Sequence, residues 1–183
     1  MSAIPLQHKG WSFLAEIYMN RKIKRKIRNF FRIFHPKYIK NFLLCLKYPF
    51  LKIESQTYPW VNGYYITWLD EIPIGWRKRF GKELCDDIKN YISKHNIKNY
   101  HIRQMKEKWN CLEIYDNSDN EFYNEIHQKY QDLSEKTCVY CGKPATWVTT
   151  NGWYESVCDD CKKTQFIDKP TCFKKINVEY ETK

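Results

Sequence analysis

The chain has 183 residues and a mass of 22.4 kDa, with 43% hydrophobic, 17% aromatic and 28% charged side chains, a balance that supports a buried core and excludes wholesale disorder. Its longest apolar run, Phe42-Leu43-Leu44-Cys45-Leu46, falls far short of the roughly 20 residues of a membrane-spanning helix. The net charge of +10 is segregated: residues 1–53 carry 12 Lys and Arg against the single acid Glu16, and the rest of the chain carries 19 bases and 20 acids.

Such a separation points to a polyanionic partner for the basic part, nucleic acid or an anionic membrane surface. That part, residues 1–57, has helical order. Ile23, Ile27, Phe30 and Phe34 recur on one helical face, and Phe13, Leu14 and Ile17 lead into it. Arg21, Arg25, Arg28 and Arg32 repeat the spacing two residues away, a turn of about 200°, and so line the opposite face. Lys22, Lys24 and Lys26 widen the stripe, and His35-Pro36 is expected to end the helix. A second apolar stretch runs from Tyr38 to Tyr48 and stops at Pro49.

Guanidinium groups pair bidentately with phosphate, so the four arginines, with Lys22 and Lys26, are candidates for binding a phosphate backbone. Like charges one turn apart cost a free helix roughly 0.2–0.5 kcal/mol per pair, and a partner would offset that. Three readings fit the segment. It is a solvated face on a helix packed by its apolar side, a binder of nucleic acid or another phosphate-rich ligand, or a membrane-surface helix that inserts Trp11 and the phenylalanines among headgroups.

Residues 58–136 read as a small α+β core. Tyr58-Pro59-Trp60 and Asn62-Gly63 are turn material, and Tyr64 to Leu69 is an aromatic and β-branched strand. Phe80, Leu84, Ile88, Tyr91 and Ile92 predict a helix over about Trp76 to Lys94. Arg77, Lys78 and Arg79 in its first turn oppose the macrodipole, a cost relieved by a bound anion or by solvent screening. Tyr100 to Met105 and Cys111 to Tyr115 predict two strands around the turn Lys106-Glu107-Lys108-Trp109-Asn110, with Leu112 and Ile114 facing inward. Ser118-x-x-Glu121 matches a capping box, and Phe122, Ile126, Tyr130 and Leu133 predict a helix to about Lys136.

Residues 137–165 hold the most specific motif. Cys138-x-x-Cys141 and Cys158-x-x-Cys161 are separated by sixteen residues, the spacing of a four-cysteine zinc site. Two thiolates in one tight turn reach a common ion, and two such turns complete a tetrahedron. Ala145 to Thr150 and Trp153 to Cys158 are strand-like around Asn151-Gly152, a hairpin turn that brings the second pair back to the first. Gly142 helps the first cysteine turn. Disulfides need an oxidising compartment, a redox dithiol explains one pair and not two, and an iron–sulfur cluster fits the hairpin less well than structural zinc does. Four protein ligands leave no position for a catalytic water. Residues 166–183 read as a tail.

Cys45, Cys85, Cys111 and Cys172 are expected to pack as small hydrophobes. His8, His35, His95, His101 and His127 form no zincin or zinc-deaminase signature, and neither a Walker glycine loop nor a nucleophile elbow occurs. Neighbouring carboxylates occur at Asp70-Glu71, Asp86-Asp87 and Asp159-Asp160, and Asp86-Asp87, adjacent on a helix, point in different directions and read as surface acids rather than acid/base machinery. The expectation is a protein without enzyme activity.

Trp68-Leu69-Asp70-Glu71-Ile72-Pro73-Ile74-Gly75-Trp76-Arg77-Lys78-Arg79-Phe80-Gly81, then Lys106-Glu107-Lys108-Trp109, then Cys138-x-x-Cys141-Gly142-Lys143-Pro144-Ala145-Thr146 resemble a group of small uncharacterised bacteriophage and prophage proteins. Here Trp109-Asn110 stand where Phe-Gly is usual. The resemblance covers roughly residues 60 to 165, about one domain in length. It implies a phage setting and supports zinc, and it brings no activity with it. Gln7, His8 and Lys9 break up the N-terminus as a signal peptide, so the expected location is cytoplasmic, the host-cell cytoplasm for a phage protein.

Two further roles remain open beside nucleic-acid binding. One is a counter-defence protein that sequesters a host nucleotide signal or inhibits a host protein, with Trp60, Tyr64, Tyr65, Trp68, Trp76 and Arg77 as a candidate ligand pocket. The other is peripheral binding to a membrane surface. The expected architecture is α+β: a basic N-terminal helical segment, a small mixed α/β core and a C-terminal zinc ribbon with a β-hairpin.

Overall fold

The computed structural model describes residue 23 and residues 35–53, 63–118, 120–167 and 171–176. The fold is α+β, with short antiparallel sheets and, among the described residues from 35 to 176, four helices. Helix α1, Pro36–Lys47, begins where a stop was expected. Proline sits at its first position, and His35 is the N-cap, its side chain accepting from the Lys37 N–H at 3.2 Å. A proline that cannot continue a helix opens the next one, because its fixed φ suits the first turn and its missing N–H would have no partner there.

After a 3₁₀ turn, Pro49–Leu51, strand β1, Lys52–Ile53, pairs antiparallel with β2, Gly63–Thr67. A second 3₁₀ turn, Trp68–Asp70, carries a capping box closed by Thr67 and Asp70. Helix α2, Ile74–Lys94, follows Pro73 and is about 30 Å long. Trp76, Phe80, Leu84, Ile88 and Tyr91 form one buried stripe along it, as the periodicity predicts. Ile92 packs against the same core from a partly buried position.

Strands β3, Ile102–Lys108, and β4, Cys111–Asp116, form a hairpin whose turn is two residues, Trp109 and Asn110. It is tighter than the expected five-residue turn. Both residues have positive φ, 55° and 67°, the backbone of the turn that matches strand twist. Met105, Leu112 and Ile114 face the core. Helix α3 runs from Asn120–Phe122 through a π turn, Tyr123–His127, to Gln128–Glu135. The π turn buries Ile126 and His127, and the Ile114 N–H donates to His127 Nε2 at 3.2 Å.

The third sheet, ordered β6-β5-β7, belongs to the cysteine module: β5 is Trp147–Thr149, β6 is Ser156–Val157 and β7 is Phe173–Lys175. The β5–β6 connection is longer than a two-residue turn, with Gly152 at φ 101°. The stretch read as a tail supplies β7. Helix α4, Asp159–Gln165, closes the module. Among the described residues, no helix is long and apolar enough to cross a membrane.

Candidate metal centre

The first cysteine pair lies in a tight turn after α3. The Gly142 N–H donates to the Cys138 carbonyl at 3.0 Å, and the Cys138 N–H donates to the Lys143 carbonyl at 2.8 Å. Gly142 takes φ 85°, a backbone state that costs a residue with a Cβ. The second pair is placed by α4: Cys158 is its N-cap and Cys161 lies in its first turn. A helix start favours negative charge, and so favours thiolates. The β5–β6 hairpin carries the chain from one pair to the other, as the spacing predicts.

The four sulfurs converge. Their Sγ atoms all lie within 4.8 Å of one another, and Cys141 and Cys158 are 3.5 Å apart. Metal–sulfur bonds of about 2.3 Å in a tetrahedron place sulfurs roughly 3.8 Å apart, so the cluster has the size of a four-thiolate site. All eight cysteines of the chain are free thiols. Burial pushes the Cys138 thiol up, but the backbone N–H groups of Cys158, Cys141 and Tyr140 outweigh it and hold the group below its ordinary value. Burial and neighbouring thiols push Cys158 and Cys161 up. Four sulfurs this close cannot all ionise without a cation among them. The donor set therefore fits a thiophilic ion, and with four protein ligands the arrangement can hold such an ion but offers it no open coordination position.

Outside the cluster, burial is the main force on Cys45, Cys85 and Cys111. It pushes Cys45 up to about 11 and Cys85 up to about 12, so both stay protonated at neutral pH. Burial and the Glu135 hydrogen bond push Cys111 up to about 12. Cys172 is exposed.

The module is bonded to the core across its whole width. The Gly75 N–H donates to the Val139 carbonyl at 2.8 Å, and a Cβ on Gly75 would meet the Cys138 carbonyl oxygen at 2.0 Å. Trp76 Nε1 donates to the Thr137 carbonyl at 3.1 Å. From the β3–β4 turn, Asn110 Nδ2 donates to Ser156 Oγ, and the Ser156 N–H donates to Asn110 Oδ1, each at 2.7 Å. Outside the cluster, Lys143 and Asp160 pair at 2.7 Å and tie one cysteine turn to the other. Lys162 lies 3.3 Å from the centre of the Trp147 ring.

The remaining sequence-predicted residues fall elsewhere. Arg21, Arg25, Arg28, Arg32, Lys22, Lys26 and Trp60 lie outside the described residues, while Ile23 is helical and half exposed. Tyr64 and Tyr65 lie in β2, and Trp68 sits partly buried in the following turn. Trp76 cannot line an open pocket, because it is fully buried at the heart of the core. Arg77 pairs with Asp70, so the charge that relieves the basic first turn of α2 is an internal carboxylate. Sequence reading missed a second cluster of ligand-type groups, His95, Glu121 and Glu125, since His95 ends α2 and the acids lie on α3. Lys94 already bonds both Glu125 oxygens, at 3.0 and 3.2 Å.

Compared with protein-family models, with curated proteins and with solved structures, the chain matches none.

Proposed function

We propose that the four thiolates hold one structural zinc ion and that the protein acts by binding rather than by catalysis, its basic N-terminal segment engaging nucleic acid through phosphate. The observation that carries the second half is the charge ledger. Within the described core, several acids are already paired with cations: Asp70 holds Lys37 and Arg77, Asp86 holds Lys47 and Lys82, Lys129 bridges Glu83 and Asp87, and Lys94 holds Glu125. Residues 54–183 are nearly neutral overall, so the chain's excess positive charge, the part a polyanion would meet, lies in residues 1–53 with their 12 bases and one acid. The resemblance to phage proteins favours a host-cytoplasmic setting.

Binding through several phosphates releases counterions, so affinity for a 20-nucleotide DNA or RNA is expected to fall about 10³-fold or more between 50 and 200 mM salt. Replacing Arg21, Arg25, Arg28 and Arg32 together by glutamine is expected to abolish that binding and leave metal content unchanged. A salt-independent affinity, or full affinity in the fourfold variant, contradicts the reading.

One observation favours a second reading. On α1, Ile39, Phe42, Leu43 and Leu46 recur at helical spacing and are all exposed, beside Lys40 and Lys47. An apolar face edged with lysines suits the surface of an anionic bilayer. Co-sedimentation with phosphatidylserine vesicles, lost when Leu43 and Leu46 become glutamine and unaffected by nucleic acid, would select it.

A further inference from the structure

A groove of about 310 Å³ opens beside the first cysteine turn, where three stretches distant in sequence meet: the start of α2, the β3–β4 hairpin and the β5–β6 loop. Its apolar surface comes from Ile74, Tyr140, Trp153 and Tyr154, and its charge from Glu107 and Glu155. Trp153 is 79% exposed and Ile74 is 53% exposed. Next to them Trp109 is also exposed, with its ring centre 6.4 Å from that of Tyr154. Large aromatic side chains left in water side by side mark an interaction surface.

The two carboxylates set the kind of guest. Glu107 accepts the Asn110 N–H at 2.6 Å, and Glu155 accepts the Tyr140 hydroxyl at 2.7 Å. Both donors are neutral. Among the described residues neither acid is paired with a cation, unlike Asp70, Asp86, Asp87, Glu125 and Asp160. Two negative charges framed by aromatic faces attract a cation with an apolar stem, because each ring presents a negative face and each carboxylate adds direct Coulomb attraction. They repel phosphate.

We propose that this groove receives a lysine or arginine side chain from a basic peptide segment of a partner protein. Its stem lies along Ile74 and Trp153, and its charged head lies between Glu107 and Glu155. The groove is lined by residues outside the basic N-terminal segment of the sequence and carries the opposite charge, so the two readings are tested independently.

The test uses the full chain and three nine-residue peptides, neutral apart from a central lysine, arginine or norleucine, followed by indole N–H resonances in NMR. Norleucine keeps the stem of lysine and removes its charge. The lysine and arginine peptides are expected to move the Trp153 resonance saturably, and the norleucine peptide to bind at least tenfold more weakly. Changing Glu107→Gln and Glu155→Gln together keeps both hydrogen-bond acceptors and is expected to reduce lysine-peptide affinity at least tenfold, with unchanged metal content as the check on folding. Equal binding of the norleucine peptide, an unmoved Trp153 resonance, or movement of that resonance by oligothymidine and not by the lysine peptide would each overturn the assignment. Loss of polyanion binding in the arginine variant leaves this result untouched, and that difference separates the two failures.

Discussion

Asp70 is the residue on which three elements close. It accepts the Thr67 N–H at 2.8 Å, the Thr67 hydroxyl at 2.9 Å and Asn41 Nδ2 at 3.1 Å, and it pairs with Lys37 and Arg77. Burial pushes its carboxyl up, but the Thr67 backbone donor, the Arg77 charge, the Thr67 hydroxyl and Lys37 outweigh that and hold it below the ordinary carboxylate value. A group whose folded value is depressed contributes stability above its unfolded value and loses it as pH falls through the folded one. Asp70→Asn is therefore expected to cost about 2 kcal/mol at pH 7 in urea unfolding. The difference from the parent should shrink as pH drops below about 4 and vanish once the parent carboxyl is protonated. A cost independent of pH would mean that the loss is one of packing. Gly75 makes the opposite kind of demand, for the absence of atoms. Gly75→Ala drives a Cβ into the backbone of the first cysteine turn and is expected to cost more than about 3 kcal/mol. Metal affinity should fall with it, and both are measurable by unfolding and by competition with a chelator.

At the scale of elements, the β3–β4 hairpin carries a visible compromise. Its turn requires positive φ at both positions, which Asn110 accepts and Trp109 does not. Trp109→Asn is expected to raise stability by about 0.5–1 kcal/mol; a loss of stability would show that the ring packing on Tyr154 matters more than the strain. Sequence alone revealed the strands, because Leu112 and Ile114 alternate with outward residues. It could not reveal the turn length, because nothing in Lys106-Glu107-Lys108 distinguishes strand from loop until the pairing with β4 is known. The long helix α2 was legible for the opposite reason: its apolar spacing is regular over about four turns, from Trp76 to Tyr91. The cysteine cluster was legible because ligand spacing is a local property. The seam around Gly75, Asn110 and Ser156 was not, since it joins positions 46 or more residues apart. Trp76 was misplaced in a ligand pocket because an aromatic beside an arginine looks the same in sequence whether it lines a cavity or fills a core.

At the scale of the whole molecule, the cysteine module has its own small apolar cluster of Cys138, Val157, Cys158 and Cys161, joined to the α+β core through Val139 and Tyr140. Val139, next to Cys138, packs in the same apolar cluster as Trp76, Leu84 and Leu112, and backbone hydrogen bonds cross the seam. Metal binding in such a site is folding free energy, and here it would be delivered to the core as well as to the ribbon. Cys158→Ser is accordingly expected to lose the metal and to lower the unfolding midpoint of the entire chain, in one transition rather than two. A variant that keeps a full equivalent of zinc would refute the ligand assignment.

Amide hydrogen exchange on the protein before and after chelation tests the central claim most directly. The account predicts one zinc per chain beforehand. After chelation, protection should be lost between residues 138 and 161 and weakened across the seam at Trp76 and Leu112. Undiminished protection of residues 138–161 in the metal-free protein would contradict it.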